Sequence, residues 1–460
     1  MSIITDPQRA ANAIPIVAVR HDNIDAFLAH TDALTRNWLQ STGFRAKPHT
    51  HALIPAPDCG IAQVVVGIRN ANDVYALAHL PLTSPPGDYT LASHHDALDV
   101  NVAALGWGLG CYQFTRYKNA SRAPANLVLG ANEHVARIEK ILRAANLVRD
   151  LVNTPTEDMG PQHLADVAKG LATQFGATFH EWIGDELLTH NFPAIHAVGR
   201  ASHRAPRLIE LVWGDENNPR VAIVGKGVCF DTGGLNIKGA EGMRQMKKDM
   251  GGGAHALAMA QLIMELNLPV RLHMLVPAVE NAIAGNAYRP GEVVATRKGL
   301  GIEIGNTDAE GRVVLSDALA YAAESKPALI IDYATLTGAA RVALGPELPA
   351  MFCNRDEWAN ALIIAAQQTQ DPLWRMPLWQ NYNDMIRSNI ADIVNTGGTQ
   401  AGSVTAALFL EHFVPKDQPW IHIDLFAWNP KAKPGRPEGG EAQTLRATLA
   451  MLEEKYGAKS

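Results

Sequence analysis

Hydrophobic and polar positions along this 460-residue chain follow two periods, one of two residues and one near 3.6. Short runs rich in Val and Ile predict strands at 13–20, 62–68 and 126–129, then at 221–225, 270–276, 300–305, 328–334 and 420–426. Apolar positions three and four apart predict helices over 23–39, 161–175, 254–267, 315–325, 357–369 and 402–413. From Asn132 to Val152 a further helical face carries Val135, Ile138, Ile141, Leu142, Ala145 and Val148. Asn153-Thr154-Pro155 ends it, since the residue before a proline avoids helical geometry.

Strands alternate with helices after residue 155, which implies a mostly parallel, doubly wound sheet covered by helices on both faces. A chain of this length exceeds what one core supports, so two domains are expected. The pattern predicts an α/β protein with a small N-terminal α/β domain over 1–130, a linker helix over 131–155 and a larger domain over 156–460. Ligands of such sheets sit beyond the carboxyl ends of the strands. No internal repeat or low-complexity segment breaks the pattern.

Composition narrows the function classes. The chain is 47% hydrophobic and 19% charged, with a net charge of −6, an ordinary globular balance that invites neither nucleic acid nor an anionic membrane. Residues 1–125 hold nine Lys and Arg against nine Asp and Glu, so the first domain has no basic excess for phosphate neutralisation. Cys59, Cys111, Cys229 and Cys353 are scattered without a C-x-x-C, which fits buried free thiols in a reducing compartment. No signal-peptide pattern opens the chain and no run of 18 apolar residues occurs, so no membrane is expected and the cytoplasm is the default location.

Candidate chemistry concentrates in two stretches. Asn306-Thr307-Asp308-Ala309-Glu310-Gly311-Arg312 packs two carboxylates and a guanidinium behind an apolar run. Hard oxygen ligands beside one cation suit a divalent metal with an anion next to it. The second stretch, 221–253, opens with the apolar run Val221 to Val224 and then sets Lys226, Asp231, Lys238 and Asp249 among many glycines. Glycine there permits tight turns and close approach of a ligand.

These residues carry a resemblance. GKGVCFDTGG, NIKG, MKKDMGG and NTDAEGR, in this order, resemble the leucyl aminopeptidase family of dinuclear zinc exopeptidases, as do 277–294 and ATLTGA at 334–339. The likeness covers roughly 150–430. It implies that Lys226, Asp231, Asp249, Asp308 and Glu310 hold two divalent ions, zinc or manganese, with Asp231 and Glu310 as bridges, each on a surface loop over the sheet. It gives Lys238 an electrophilic role and assigns Arg312 to a bicarbonate that acts as general base. For Arg312 the alternative is a salt bridge to Asp308 or Glu310, and for Lys226 a plain ion pair with Asp231. The implied substrate is a peptide with a free N-terminus, and the implied assembly a homohexamer. His255 is expected on the following helix, away from the chemistry.

By the same resemblance, Met246, Thr335, Leu336, Gly338 and the strand end near Phe426 line the pocket for the N-terminal side chain. Here the chain departs from the family, whose better-known members place small residues after the aspartate that matches Asp424 and lack the stretch 430–443. Either Phe426 or Trp428 could face the pocket and narrow it against leucine, or both could pack in the core. A two-metal phosphoesterase and a DNA-binding regulator on the same scaffold remain alternative readings at this point.

Overall fold

In the computed structural model, residues 2–92, 98–130, 132 and 134–457 are described. The chain forms two compact units, Met1–Arg143 with Lys431–Glu438, and Ala144–Pro430 with Gly439–Ser460. The helix expected from Asn132 runs over Val135–Asn153, and the division falls within it. Residues 131 and 133, at the predicted start of the linker, lie outside the described residues.

The first unit is built on strands β1 (Ile3–Thr5), β2 (Ile14–Arg20), β3 (His51–Pro55), β4 (Ile61–Ile68), β5 (Asp88–Leu91) and β6 (Asn126–Leu129). They lie in the order β1-β6-β5-β2-β4-β3, all parallel except β3, which runs antiparallel to β4. Val17 and Val19 of β2 and Val65 of β4 pack with Ile24, Leu39 and Phe44 in one core cluster. The helix predicted over 23–39 is two helices, Ile24–His30 and Ala33–Ser41. Asp32 separates them because its carboxylate accepts the Thr35 N–H at 2.9 Å and caps the second helix.

The second unit holds β7 (Thr178–Ile183), β8 (Arg207–Trp213), β9 (Arg220–Gly225), β10 (Gly227–Asp231), β11 (Arg271–Asn281), β12 (Val293–Ala295), β13 (Gly301–Glu303), β14 (Leu329–Ala334), β15 (Ala350–Cys353), β16 (Trp374–Arg375), β17 (Ile393–Val394) and β18 (Trp420–Asp424). Its main sheet runs β16-β15-β18-β14-β9-β11-β8-β7, with β10 beside β11. The central strands β18, β14, β9 and β11 are parallel, and antiparallel neighbours flank them. This is the expected α/β architecture. Ala222 and Val224 of β9 join Val314, Leu315 and Ala318 of the helix Glu310–Glu324 in one buried cluster. Val221 and Ile223 point the other way, toward the layer of the helix Gly251–Glu265, and are equally buried. Each fully buried Val or Ile contributes roughly 1.5–3 kcal/mol, so β9 is anchored on both faces.

Several boundaries differ from the pattern-based expectation. The helix expected at 254 starts at Gly251, inside the glycine run. A Cβ on Gly252 would sit 2.1 Å from the Tyr333 carbonyl oxygen, so only glycine lets the helix approach β14 this closely. The helix expected at 315 starts at Glu310, whose carboxylate suits the positive end of a helix. Strand β10 was not predicted; Gly227 and Cys229 break its apolar pattern. The strand expected over 300–305 is shorter and lies outside the main sheet, pairing instead with β12 and β17. Strand β18 stops at Asp424 rather than 426, and Ala427 takes a left-handed backbone at φ +53°.

Candidate active site

Beyond the carboxyl ends of β9, β14 and β18 lies a cavity of 410 Å³. The five expected metal ligands all line it: Lys226, Asp231, Asp249, Asp308 and Glu310. So do Lys238, Arg312, Met246, Thr335, Leu336, Gly338 and Phe426. Trp428 does not; its ring lies 5.7 Å from the Lys247 ammonium, in a two-residue strand paired with Gly439–Gly440. Both-in-the-core is therefore overturned for Phe426.

Lys226 is fixed by its backbone before its side chain acts. Its N–H donates to Tyr333 O at 2.9 Å and its carbonyl accepts from Gly253 N at 2.7 Å. The ammonium then reaches Asp249 Oδ2 at 2.6 Å, Glu310 Oε1 at 2.9 Å and Thr335 O at 3.0 Å. The alternative pairing with Asp231 is not what forms. Asp231 Oδ2 instead takes the Lys238 ammonium at 2.8 Å, and Lys238 also pairs with Asp308 Oδ1 at 2.5 Å. Asp231 Oδ1 accepts from Gly233 N and from Asn281 Nδ2, both at 2.8 Å. Thr335 Oγ1 donates to Asp249 at 2.9 Å.

These groups were expected on surface loops, and the structure instead buries four of the five. Glu310 is 1% exposed and Lys226 2%, Asp231 ends a strand, and Glu310 opens a helix. Asp308 alone is half-buried. The reason is charge: Asp231, Asp249, Asp308 and Glu310 lie against Lys226 and Lys238, and this partial compensation permits burial that none could sustain alone.

One ligand oxygen from each of Asp231, Asp308 and Glu310 lies within 4.8 Å of the others. Burial, then the neighbouring Asp231 charge, pushes the Glu310 carboxyl up to about 8 and the Asp308 carboxyl up to about 6. Burial also works against Asp249, but Lys226 and Lys248 outweigh it and hold that carboxyl low. Burial opposes the Lys226 and Lys238 charges too, and the surrounding carboxylates outweigh it and raise both. Carboxylates that resist ionisation beside one another fit a divalent ion chemically: hard oxygen donors already converge on one point.

Arg312 is buried, and burial lowers its guanidinium to about 10 against the pull of Glu310 and Asp424. Among the described residues no ion pair joins it to Asp308 or Glu310, and its Nε has no hydrogen-bond partner. A buried guanidinium with an open fork, facing a cavity, suits a planar anion. His255 lies on the helix Gly251–Glu265 with Nδ1 2.6 Å from Gly251 O and accepts the Gln443 N–H, away from the cavity. The four cysteines are free as expected, although Cys59 is exposed rather than buried.

Some residues of the site escaped the sequence reading. Asn281, at the end of β11, ties Asp231 to the Thr307 carbonyl, which the Tyr288 hydroxyl also holds at 2.7 Å. Asp424 accepts the N–H groups of Leu336 and Thr337 at 3.0 and 3.1 Å and the Thr337 hydroxyl at 2.6 Å, which pins the pocket loop to β18. Lys248 and Arg341 line the cavity beside Phe426. Asn281 lies within the stretch 277–294 and Asp424 within the strand end expected to line the pocket, so both were in view without a role; a lone Arg341 carries no signal.

Comparison with known proteins agrees with this geometry. Residues 146–449 match the catalytic domain of the cytosol aminopeptidase family, and 14–130 match the M17 aminopeptidase N-terminal domain. A probable cytosol aminopeptidase of Syntrophotalea carbinolica is 41% identical over 374 residues, 77% of this chain and 75% of that protein. The crystal structure of the cytosol aminopeptidase from Coxiella burnetii superposes with a TM-score of 0.95 at 48% identity, covering 99% of each chain. The bottromycin maturation enzyme BotP in complex with Mn gives 0.86 at 31% identity, covering 96% of this chain and 99% of that one. With both domains matched and the carboxylate-lined cavity in place, the chain belongs to the cytosol aminopeptidase family and is a metalloaminopeptidase.

Proposed function

We propose that the cavity removes the N-terminal residue from peptides with two divalent ions held by Lys226, Asp231, Asp249, Asp308 and Glu310, Asp231 and Glu310 being shared. The observation that supports this most is the convergence of Asp231, Asp308 and Glu310 oxygens within 4.8 Å in a buried cavity. The manganese complex of the similar enzyme BotP supports a divalent ion, zinc or manganese, for this chain as well. Two such ions supply Lewis acidity to the attacking water and to the scissile carbonyl. The free terminal amine would also bind one of the ions, as a ligand that an acylated nitrogen does not offer, which gives exopeptidase selectivity.

Lys238 stabilises the negative charge that develops on the carbonyl oxygen, and Asp231 and Asp308 hold its ammonium in place. Arg312 would hold a bicarbonate, whose chemistry is that of a general base. Met246, Thr335, Leu336, Gly338 and Phe426 receive the N-terminal side chain. The resemblance supports a homohexamer, and the cytosol aminopeptidases it matches support a cytoplasmic location; no helix among the described residues is long and apolar enough to cross a membrane. No histidine among the described residues lines the cavity, which disfavours a two-metal phosphoesterase. The first domain's even balance of charges disfavours DNA binding.

A panel of aminoacyl amides, each paired with its N-acetyl counterpart and assayed with zinc, manganese and cobalt, tests this reading. Hydrolysis only of the free-amine member, and only with metal, is expected. Equal hydrolysis of the acetylated member would contradict it.

A further inference from the structure

Two cations in the cavity are left over once the proposed chemistry is assigned. Lys226, Lys238 and Arg312 have partners or roles at the centre. Lys248 has only a long contact with one of the proposed ligands, Arg341 has none, and both lie against Phe426: the Lys248 ammonium is 5.3 Å from the ring centroid and the Arg341 guanidinium 4.7 Å. Lys248 is buried, and its only carboxylate contact among the described residues is Asp249 Oδ1 at a long 3.4 Å. That carboxylate is already shared by Lys226 at 2.6 Å and by Thr335. Arg341, on the helix Gly338–Leu344, is exposed at the cavity mouth and has no carboxylate partner among the described residues. Asp424, which also lines the cavity, is engaged by Leu336 and Thr337.

Lys248 follows Met246 by two residues and Arg341 follows Gly338 by three, so both cations flank the residues that receive the N-terminal side chain. Phe426 narrows that space and holds each cation near its ring by the attraction of a cation for an aromatic face. A pocket that is narrow, apolar along Met246 and Leu336, and flanked by one buried and one exposed cation matches a short side chain ending in a negative charge.

We propose that the side-chain pocket selects an acidic N-terminal residue, aspartate or glutamate, with Arg341 and Lys248 as the specificity-determining residues. The proposal rests on the aminopeptidase reading of the same cavity. The test compares kcat/KM for glutamyl and glutaminyl amides, which differ in charge and not in shape. Amides carry no C-terminal carboxylate, so only the N-terminal side chain can read the cations. The wild type favours glutamyl over glutaminyl by about tenfold or more at low salt, the scale of one charged hydrogen bond, and the ratio narrows as salt is added. Arg341→Gln and Lys248→Met each lower the ratio, and the double variant brings it close to one. A wild-type ratio of one or less, with alanyl or leucyl amides hydrolysed, overturns the proposal and leaves the aminopeptidase reading standing. So does an Arg341→Gln variant that loses activity on dipeptides generally while keeping the ratio. Calorimetric binding of L-glutamate and L-glutamine to the manganese-loaded protein makes the same comparison without turnover. Glutamate preference there, with no amide hydrolysed, supports the acidic pocket and overturns the peptidase reading.

Discussion

The Lys226 ammonium meets the Glu310 carboxylate at 2.9 Å through space that exists only because residue 311 is glycine. A Cβ at 311 would lie 2.5 Å from Lys226 Cε and 2.8 Å from its Nζ. Lys226 cannot easily move aside, since Asp249 and Thr335 hold it from other directions. Gly311→Ala is therefore expected to displace the lysine while the helix, which favours Ala over Gly by about 1 kcal/mol, stays intact. Metal affinity should fall about 10- to 100-fold, the range for disturbing a group that orients metal ligands. Thermal melting and metal titration together check this; unchanged affinity in a folded variant would show that the contact does not matter.

Metal uptake should depend on pH. Burial and the Asp231 charge raise Glu310 to about 8 and Asp308 to about 6, so below those values the carboxyls bind protons that a metal must displace. The sign follows: apparent affinity rises with pH through the window from about 6 to 8, and Lys226, raised further still, keeps it rising. Calorimetry in buffers of different ionisation enthalpy counts the protons released. An affinity flat across that window would contradict the arrangement.

Lys238→Ala is expected to leave metal content intact and lower kcat by about 10² to 10³, the scale for losing one oxyanion donor. A change confined to KM would mean the lysine acts equally on ground and transition states. For Arg312, activity of carefully degassed enzyme should rise on adding bicarbonate, and Arg312→Ala should abolish that response. No effect of bicarbonate on the wild type would leave the guanidinium a structural role.

Phe426 lines the cavity between two cations. Phe426→Ala should widen the pocket and raise kcat/KM for leucyl relative to alanyl amides. A pocket methylene is worth about 1–3 kcal/mol in discrimination, so a change of tenfold or more is expected. A ratio that does not move would place the leucine side chain elsewhere.

Much of this site was legible in the sequence because its chemistry is local. Asp308, Glu310 and Arg312 lie within five residues, and Lys226, Asp231, Lys238 and Asp249 within 24, so spacing and glycine context exposed them. Helix Pro161–Phe175 matched its predicted span because proline opens it and Gly176 closes it at φ +67°. What was lost depends on tertiary contact. Strand β10 has no alternation to read, β13 joins a separate sheet through pairings with residues 293–295 and 393–394, and the glycine run reads as a loop until β14 packs against it. Burial of the ligands was missed for the same reason: charges look solvated in sequence and become buried only when partners distant in the chain offset them. Arg341 and Lys248 gave no signal until Phe426 brought them to one pocket.

The central claim is that the converging carboxylates hold catalytic metal. Its most direct test measures metal content and aminoacyl amide hydrolysis on the same samples of wild type and Asp308→Ala. Asp308 is the half-buried member of the cluster, so its loss should spare the fold. The wild type should carry two divalent ions per chain and lose all hydrolysis on exhaustive chelation. The variant should melt near the wild-type temperature, bind less metal and hydrolyse nothing. Full activity of chelated wild type, or an Asp308→Ala enzyme that keeps both metal and turnover, would contradict the claim.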